Sequence, residues 1–156
     1  MVFSVKANKN KIIAIAVLIA IICSAIFMLP SITKPAPVVY PASTEDERIE
    51  FLNSFSWQVG TAPIESREVT IPSEFSEVYS NYNEMQKAQG FDLEDYKGLV
   101  CTQYIYLVEN YPLEGKLVHA TLLVNNDNII GGDISCAEVD GFMHGFAIDS
   151  KAYGEK

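Results

Sequence analysis

Three residues near the C-terminus, Cys136, Asp140 and His144, carry side chains that could do chemistry, and they are spaced four apart. A thiolate, a carboxylate and an imidazole can together ligate a metal ion, and a cysteine beside a histidine can act as a nucleophile. Asp140 and His144, together with Asp133, could instead form the site of a small hydrolase or metal-dependent enzyme. Two glycines in the same segment interrupt any regular helix, so the spacing fixes no geometry. Catalysis is therefore an alternative hypothesis, and we expect no cofactor.

A second candidate site surrounds the end of a predicted helix, where amides and carboxylates lie among aromatic residues. Sites for polar ligands or peptides often use this mixture. The structural alternative places the aromatic residues in the core and lets the amides cap turns. Together with a nearby strand end, the residues that we expect at this interaction surface are Asn83, Gln86, Lys87, Asp92, Asp133 and His144.

Two glycines, Gly131 and Gly132, precede Asp133 inside a strand-like segment. A nucleotide-binding loop is not indicated, because Ile134 follows where a second acid would be needed. The pattern instead predicts a bulge or a close crossing, where glycine lets the backbone approach a neighbour. We expect Asp133 to accept hydrogen bonds from nearby amides.

Cys101 and Cys136 both fall in predicted strands or at strand ends. An exported domain would permit a disulfide between them. Two separate buried thiols are the alternative, because the sequence does not give their separation in space. The sequence allows both arrangements of the two cysteines.

Residues 12–29 form an apolar run without a single charge. As a helix this run would be roughly 27 Å long, close to the ~30 Å hydrocarbon core of a bilayer. Lys6, Lys9 and Lys11 precede it, and this lysine bias favours a cytoplasmic N-terminus over residues 1–11. We therefore expect a single-pass anchor in the cell membrane with the rest of the chain outside. A cleaved signal peptide is the alternative.

Residues 30–43 read as a linker, because their prolines favour an extended chain. One extracytoplasmic domain is predicted over 44–150, followed by a tail over 151–156. From Ser31 onward, twenty acidic residues stand against eight basic ones, a net charge of −12. This charge excludes nucleic acid as a partner, because phosphate would meet like charge at every approach.

Capping signals and apolar periodicity predict two helices. Thr44 and Glu47 have the spacing of a capping box at the start of the first helix. Ser73 is placed to cap the second helix, and Gly90 to end it in a left-handed conformation. The apolar stripes of the two helices comprise Ile49, Leu52 and Phe55 in the first, and Phe75, Val78, Tyr79 and Tyr82 in the second.

Alternation of apolar and polar residues predicts the strands. Trp57–Val59 and Arg67–Ile71 suggest a strand pair, and a meander follows over 99–109, 116–124 and 129–135 with a turn at 125–128. Early helices and later consecutive strands indicate an α+β domain. We therefore expect an N-terminal transmembrane helix followed by one small domain, with two helices packed on one face of an antiparallel sheet.

Segments within residues 45–146 resemble an uncharacterised bacterial family of short membrane-anchored proteins that carry a domain of unknown function. The resemblance lies in the runs YNEMQKAQGFDLEDYKG and IIGGDISCAEVDGFMHGF. It implies an N-terminal anchor and an α+β domain, and it implies no activity.

The leading functional hypothesis is a membrane-anchored extracytoplasmic binding or interaction module without catalysis. Its expected partner is an envelope protein or a small polar ligand. The alternatives are the small hydrolase or metal-dependent enzyme built on Asp133, Asp140 and His144, and a structural component of an envelope assembly.

Overall fold

The computed structural model describes residues 39–113, 115–138 and 141–150. All of them belong to one unit, Pro37–Lys156, whereas the unit Met1–Ala36, with the predicted anchor, lies outside the described residues. Among the described residues, no helix has the length and apolar character needed to cross a membrane.

An antiparallel sheet and two helices make up the described unit, which confirms the α+β prediction. The elements in chain order are β1 (Tyr40–Pro41), α1 (Glu45–Ser54), β2 (Glu65–Thr70), α2 (Glu77–Ala88), a 3₁₀ helix (Leu93–Tyr96), β3 (Val100–Val108), β4 (Val118–Asn125), β5 (Asn128–Cys136) and β6 (Phe142–His144). The strand order is β1-β5-β4-β3-β2, and β6 pairs with β5 beside β1.

The meander β3-β4-β5 forms as predicted. Asn126 and Asp127 connect β4 to β5 with φ of 47° and 60°. Positive φ at both central residues is the requirement of a type I′ turn, whose twist suits an antiparallel hairpin. Asparagine and aspartate tolerate this conformation better than other non-glycine residues.

The predicted pairing of Trp57–Val59 with Arg67–Ile71 is wrong. β2 pairs along its length with β3, from Glu65 opposite Ile105 to Thr70 opposite Val100. Val59 forms only a single bridge, to Val108. The long apolar strand β3 offers β2 more backbone partners and more side-chain contacts than a three-residue strand can.

The last residues of the segment assigned to the linker belong to the described fold. Tyr40 and Pro41 pair with β5, and Ala42 is buried. The guanidinium of the buried Arg48 in α1 donates a hydrogen bond to the Ala42 carbonyl, with Nη1 2.8 Å from the oxygen. This contact ties the chain entering the domain to the first helix.

The capping box of α1 is confirmed. The Thr44 hydroxyl accepts from the Glu47 amide at 3.3 Å, and the Glu47 carboxylate accepts from the Thr44 amide at 2.9 Å. The buried face of the helix differs from the predicted stripe, because Phe51 and Arg48 are buried with Leu52 while Ile49 is only partly buried.

Helix α2 starts one turn later than predicted and ends where predicted. Ser76, not Ser73, caps it by accepting from the Tyr79 amide, because the preceding Phe75 packs against the sheet instead of entering the helix. At the other end, Gly90 adopts φ +90° and its amide donates to the Lys87 carbonyl. The Phe91 amide reaches the Gln86 carbonyl, which completes a Schellman motif.

The two helices pack on opposite faces of the sheet, so the prediction that they share one face is wrong. The face that we call the α1 face is covered by α1 and carries Tyr104, Tyr106, Val118, Ala120 and Leu122. The face that we call the α2 face carries Val69, Cys101, Gln103, Leu123 and Asp133. Strands β4 and β5 are buried on both faces, and their consecutive apolar residues, such as Leu122 and Leu123, require cover on both sides.

Candidate functional site

A cavity of about 390 Å³ lies between α2 and the α2 face of the sheet. It is lined mainly by apolar and aromatic groups, with a few polar side chains among them. Its lining residues are Arg67, Val69, Thr70, Ile71, Val78, Tyr79, Tyr82, Gln103, Leu123, Asp133 and Met143. A concave, mostly apolar site with a few converging polar groups is the usual form of a small-molecule site, and this volume is at the small end of that range.

Register explains why these residues meet. Arg67 opposes Gln103 and Val69 opposes Cys101 across β2 and β3, so their side chains share one face. Asp133 and Met143 reach the same face from β5 and β6. The helix then closes this face with Tyr79 and Tyr82, one turn apart.

Asp133 is the acidic residue of the cavity lining and is only 4% exposed. Its Oδ2 accepts a hydrogen bond from the Tyr82 hydroxyl at 2.9 Å. Its Oδ1 is buried, and none of the described residues donates a hydrogen bond to it. Burial raises the pKa of Asp133, while the hydroxyls of Ser135 and Tyr82 lower it. The acid therefore contacts a tyrosine and the cavity, not the nearby amides that the sequence predicts.

The two tyrosines remain neutral donors at physiological pH. Burial raises the pKa of Tyr79 to about 12. Burial also raises the pKa of Tyr82, and the neighbouring Asp133 raises it further because a second negative charge there would be repelled. Their rings lie 5.8 Å apart, tilted by 60°. The two rings are aromatic walls of the cavity, and their hydroxyl groups stay protonated.

Arg67 and Gln103 form the polar edge of the cavity. The Nε of Arg67 donates to Oε1 of Gln103 at 2.7 Å, and its Nη1 lies 3.2 Å from a Glu65 carboxylate oxygen. Both members of that ion pair are about half exposed, so water screens their charges. The edge is therefore close to neutral overall, whereas the interior holds one carboxylate.

Replacing Asp133 with asparagine should stabilise the fold at neutral pH. The pKa of Asp133 is raised by burial, so the folded state binds this proton more tightly than the unfolded state does. The stability that this proton contributes is fully present below the pKa of the unfolded state, and it is lost as pH rises through the pKa of the folded state. The asparagine side chain does not ionise, so the variant does not lose this stability as pH rises. We expect it to gain about 1–3 kcal/mol at pH 7 and to converge with the wild type in acid. Urea unfolding from acid to neutral pH measures the difference.

The control for this prediction is Asp127→Asn, which removes an exposed turn carboxylate. Its stability should follow the wild type within about 0.5 kcal/mol throughout. A gain for Asp133→Asn that is equally large in acid would contradict the assignment, because protonation would then not be its cause.

Gln86 is fully buried and connects α2 to the edge of β5 by hydrogen bonds. Its Oε1 accepts from the Gly132 amide at 2.8 Å and its Nε2 donates to the Gly132 carbonyl at 2.9 Å. Gln89 adds a second donor to that carbonyl at 3.2 Å. β1 and β6 pair with β5 on either side of this point, so the glutamine amide pairs the backbone edge left open between them.

Asn83, Lys87 and Asp92 hold the end of α2 to the next loop. The buried Asn83 donates to Asp92 at 3.0 Å and accepts from the Leu93 amide at 2.8 Å. Lys87 lies at the surface within 4.0 Å of three acids, among them Asp92. Of the six residues predicted for the interaction surface, Asn83 and Gln86 are therefore buried and hold α2 to its neighbours by hydrogen bonds. Asp133 is the one of the six that lines the cavity.

His144 lies on the α1 face, on the opposite side of the sheet from Asp133. It is 5% exposed, and its Nε2 is 3.0 Å from the Tyr111 hydroxyl. Its Nδ1 lies near Gly145 O and Ser150 Oγ. The structure therefore does not bring Asp133 and His144 together, and Asp140 lies outside the described residues.

The two cysteines of the domain are free and buried. Cys101 packs on the α2 face and Cys136 on the α1 face, so the sheet separates them. Of the two arrangements that the sequence allows, the structure therefore has two separate thiols. Among the described residues, no group of three His, Cys, Asp or Glu side chains is arranged to hold a metal ion.

The bulge predicted at the glycine pair is confirmed. Ile130 is the extra residue where the register of β5 shifts opposite Leu123 and Val124. A Cβ at Gly132 would lie 2.0 Å from the Thr121 carbonyl oxygen, so the backbones approach as closely as the pattern indicates. Sequence reasoning missed Arg67, Gln103 and Met143 as cavity residues; the same-face spacing of Arg67 and Val69 was the available signal.

A family model described as "Domain of unknown function (DUF4830)" matches residues 51–134, more than half of the chain. No curated protein matches the chain, and no solved structure does. The family match includes α2, β2 to β4 and Asp133, and it ends before the glycine-rich segment around His144.

Proposed function

The chain belongs to the DUF4830 family of domains of unknown function, and we propose that it is a binding module that holds a small, mainly apolar ligand in the cavity beneath α2. The observation that carries this proposal is Asp133, a buried carboxylate in a mainly apolar cavity, one oxygen of which has no hydrogen-bond donor among the described residues. Leaving a buried polar group unsatisfied costs about 1–3 kcal/mol, and native folds rarely retain that cost without a use.

The contacts of Asp133 favour binding over catalysis. The Tyr82 hydroxyl donates to Oδ2 of Asp133, and the raised pKa of Tyr82 keeps the proton on that hydroxyl. Among the described residues that line the cavity, there is no second acid, histidine or thiol. A single carboxylate can anchor a ligand, whereas hydrolysis needs a base and a stabilised transition state around one reacting atom.

A cavity-filling variant tests the binding proposal. Val69 lines the cavity, whereas Val100, on the adjacent strand β3, is about half exposed and does not line it. We expect Val69→Trp to abolish the binding of a fluorescent naphthyl probe, ethylnaphthalene, to the full-length protein in lipid nanodiscs. Val100→Trp should bind like the wild type. Fluorescence titration measures both, and an unchanged affinity in Val69→Trp would refute the proposed cavity site.

We further propose that the module is carried on the outer side of the cell membrane by residues 12–29. The support is the uncharged apolar run and the lysines that precede it. We expect the full-length protein to stay in the membrane pellet after alkaline carbonate washing. Protease added to intact spheroplasts should degrade the domain over residues 44–150. Recovery of the full-length chain in the soluble fraction would overturn this part of the proposal.

A further inference from the structure

The geometry points to an amine as the ligand: we propose that the cavity beneath α2 takes a small molecule with an aromatic or aliphatic body and one ammonium group, which donates to Oδ1 of Asp133. This inference rests on the proposed binding function and names the class of ligand.

The first argument is the chemistry that Oδ1 requires. A carboxylate oxygen accepts hydrogen bonds, and none of the described residues donates one to this atom. A ligand that completes the site must therefore supply a donor. Tyr82 already donates to Oδ2, which leaves Oδ1 as the acceptor that lacks a donor among the described residues.

The second argument is charge. Asp133 brings one negative charge into an apolar cavity, and a cation is the partner that compensates a buried carboxylate most strongly. The other charged residue of the cavity, Arg67, stands at the edge, where it is engaged by Glu65 and Gln103. An anionic ligand would meet Asp133 unneutralised.

The third argument is the wall around the acid. Tyr79 and Tyr82 line the same cavity as Asp133, and aromatic rings attract ammonium groups through their negative faces. The apolar remainder of the lining, Val69, Ile71 and Leu123 among it, suits the hydrocarbon body of the ligand. The net charge of −12 after Ser31 also draws cations toward the domain.

Four probes of similar shape test this inference on the full-length protein in nanodiscs: naphthylethylamine, naphthylethanol, ethylnaphthalene and naphthylacetate. A hydrogen bond to a charged group contributes about 1.5–3 kcal/mol, so the amine should bind roughly tenfold to a hundredfold more tightly than ethylnaphthalene. The alcohol should fall between them, and naphthylacetate should bind most weakly.

Asp133→Asn supplies the decisive variant. It should remove the preference for the amine, so that naphthylethylamine and ethylnaphthalene bind this variant with affinities within about threefold of each other, and its thermal unfolding should confirm that it folds. The neighbouring exposed variant Asp127→Asn should preserve the preference.

The outcomes separate the two proposals. Equal affinity for the amine and the hydrocarbon would overturn the amine inference and leave the binding function standing. Tightest binding of naphthylacetate, or an amine preference that survives in Asp133→Asn, would also overturn the inference. Failure of all four probes to bind would overturn both proposals.

Discussion

Gly132→Ala is expected to destabilise the domain by about 3 kcal/mol or more, a large part of the ~5–15 kcal/mol that holds a domain folded. The new Cβ would lie 2.0 Å from the Thr121 carbonyl oxygen and 2.6 Å from the Phe146 ring. The first of these atoms belongs to the backbone of β4 and can move only if the β4-β5 pairing moves. Gly132 also has φ +156°, which disfavours a side chain.

Urea unfolding of the full-length chain, together with its soluble yield, measures this effect. Gly60→Ala is the matched control, because the nearest atom to its Cβ would be 3.8 Å away. We expect that variant to remain within about 0.5 kcal/mol of wild type. Similar unfolding midpoints for the two alanine variants would show that the backbone at Gly132 has room for a methyl group beside β4 and Phe146.

Gln86→Ala should cost about 3 kcal/mol, the second large effect. The substitution removes the partner of the Gly132 amide and leaves a void at a fully buried position. The Gly132 carbonyl keeps Gln89 as a donor, so the orphaned amide is the principal loss. Amide hydrogen exchange provides a specific readout, because the Gly132 amide should lose its protection before the centre of β4 does.

Lys87→Ala, the next residue on the helix, is the control for this prediction. Its ammonium group makes only surface ion pairs, so the change should be about 0.5 kcal/mol or less. A loss below about 1 kcal/mol for Gln86→Ala, with unchanged exchange at Gly132, would mean that water replaces the side-chain amide without cost.

These two residues also position the proposed site. Gly132 immediately precedes Asp133, and Gln86 is one turn along α2 from Tyr82. The pairing of Gln86 with Gly132 therefore fixes the distance between the tyrosine hydroxyl and the acid that it contacts. Variants of either residue should weaken probe binding along with stability, whereas Asp133→Asn separates the two, because it removes the anchor while stabilising the fold.

Local interactions account for the elements that the sequence predicts well. The capping box at Thr44, the left-handed Gly90 and the turn at Asn126 and Asp127 each depend on a few consecutive residues. The alternation along β3 likewise sets which side chains share a face before any partner is known. The choice of partner for β2 depends on competition between distant strands, and there the local pattern predicted the wrong pair.

The residues of the site divide in the same way. Asp133 stands out in the sequence because it follows two glycines in a strand, and the close approach of the Thr121 carbonyl to Gly132 explains the second of them. The element that covers the sheet face of Asp133 decides whether this acid contacts amides, a metal ion or a cavity. Asn83 and Gln86 have the composition of a binding surface, yet burial turns their amides toward Asp92 and Gly132.

The sequence by itself determined the apolar run over 12–29, the acidic balance of the remainder and the α+β class, because composition and short-range periodicity suffice for each. The family follows from the match of the sequence to a family model over residues 51–134. Only the tertiary structure decided that the helices cover opposite faces, that Cys101 and Cys136 are separated, and that Asp133 lies in a cavity away from His144. The physical reason is that strand pairing and burial are long-range choices. They settle which neighbours a side chain meets, and a polar residue acquires its role from those neighbours.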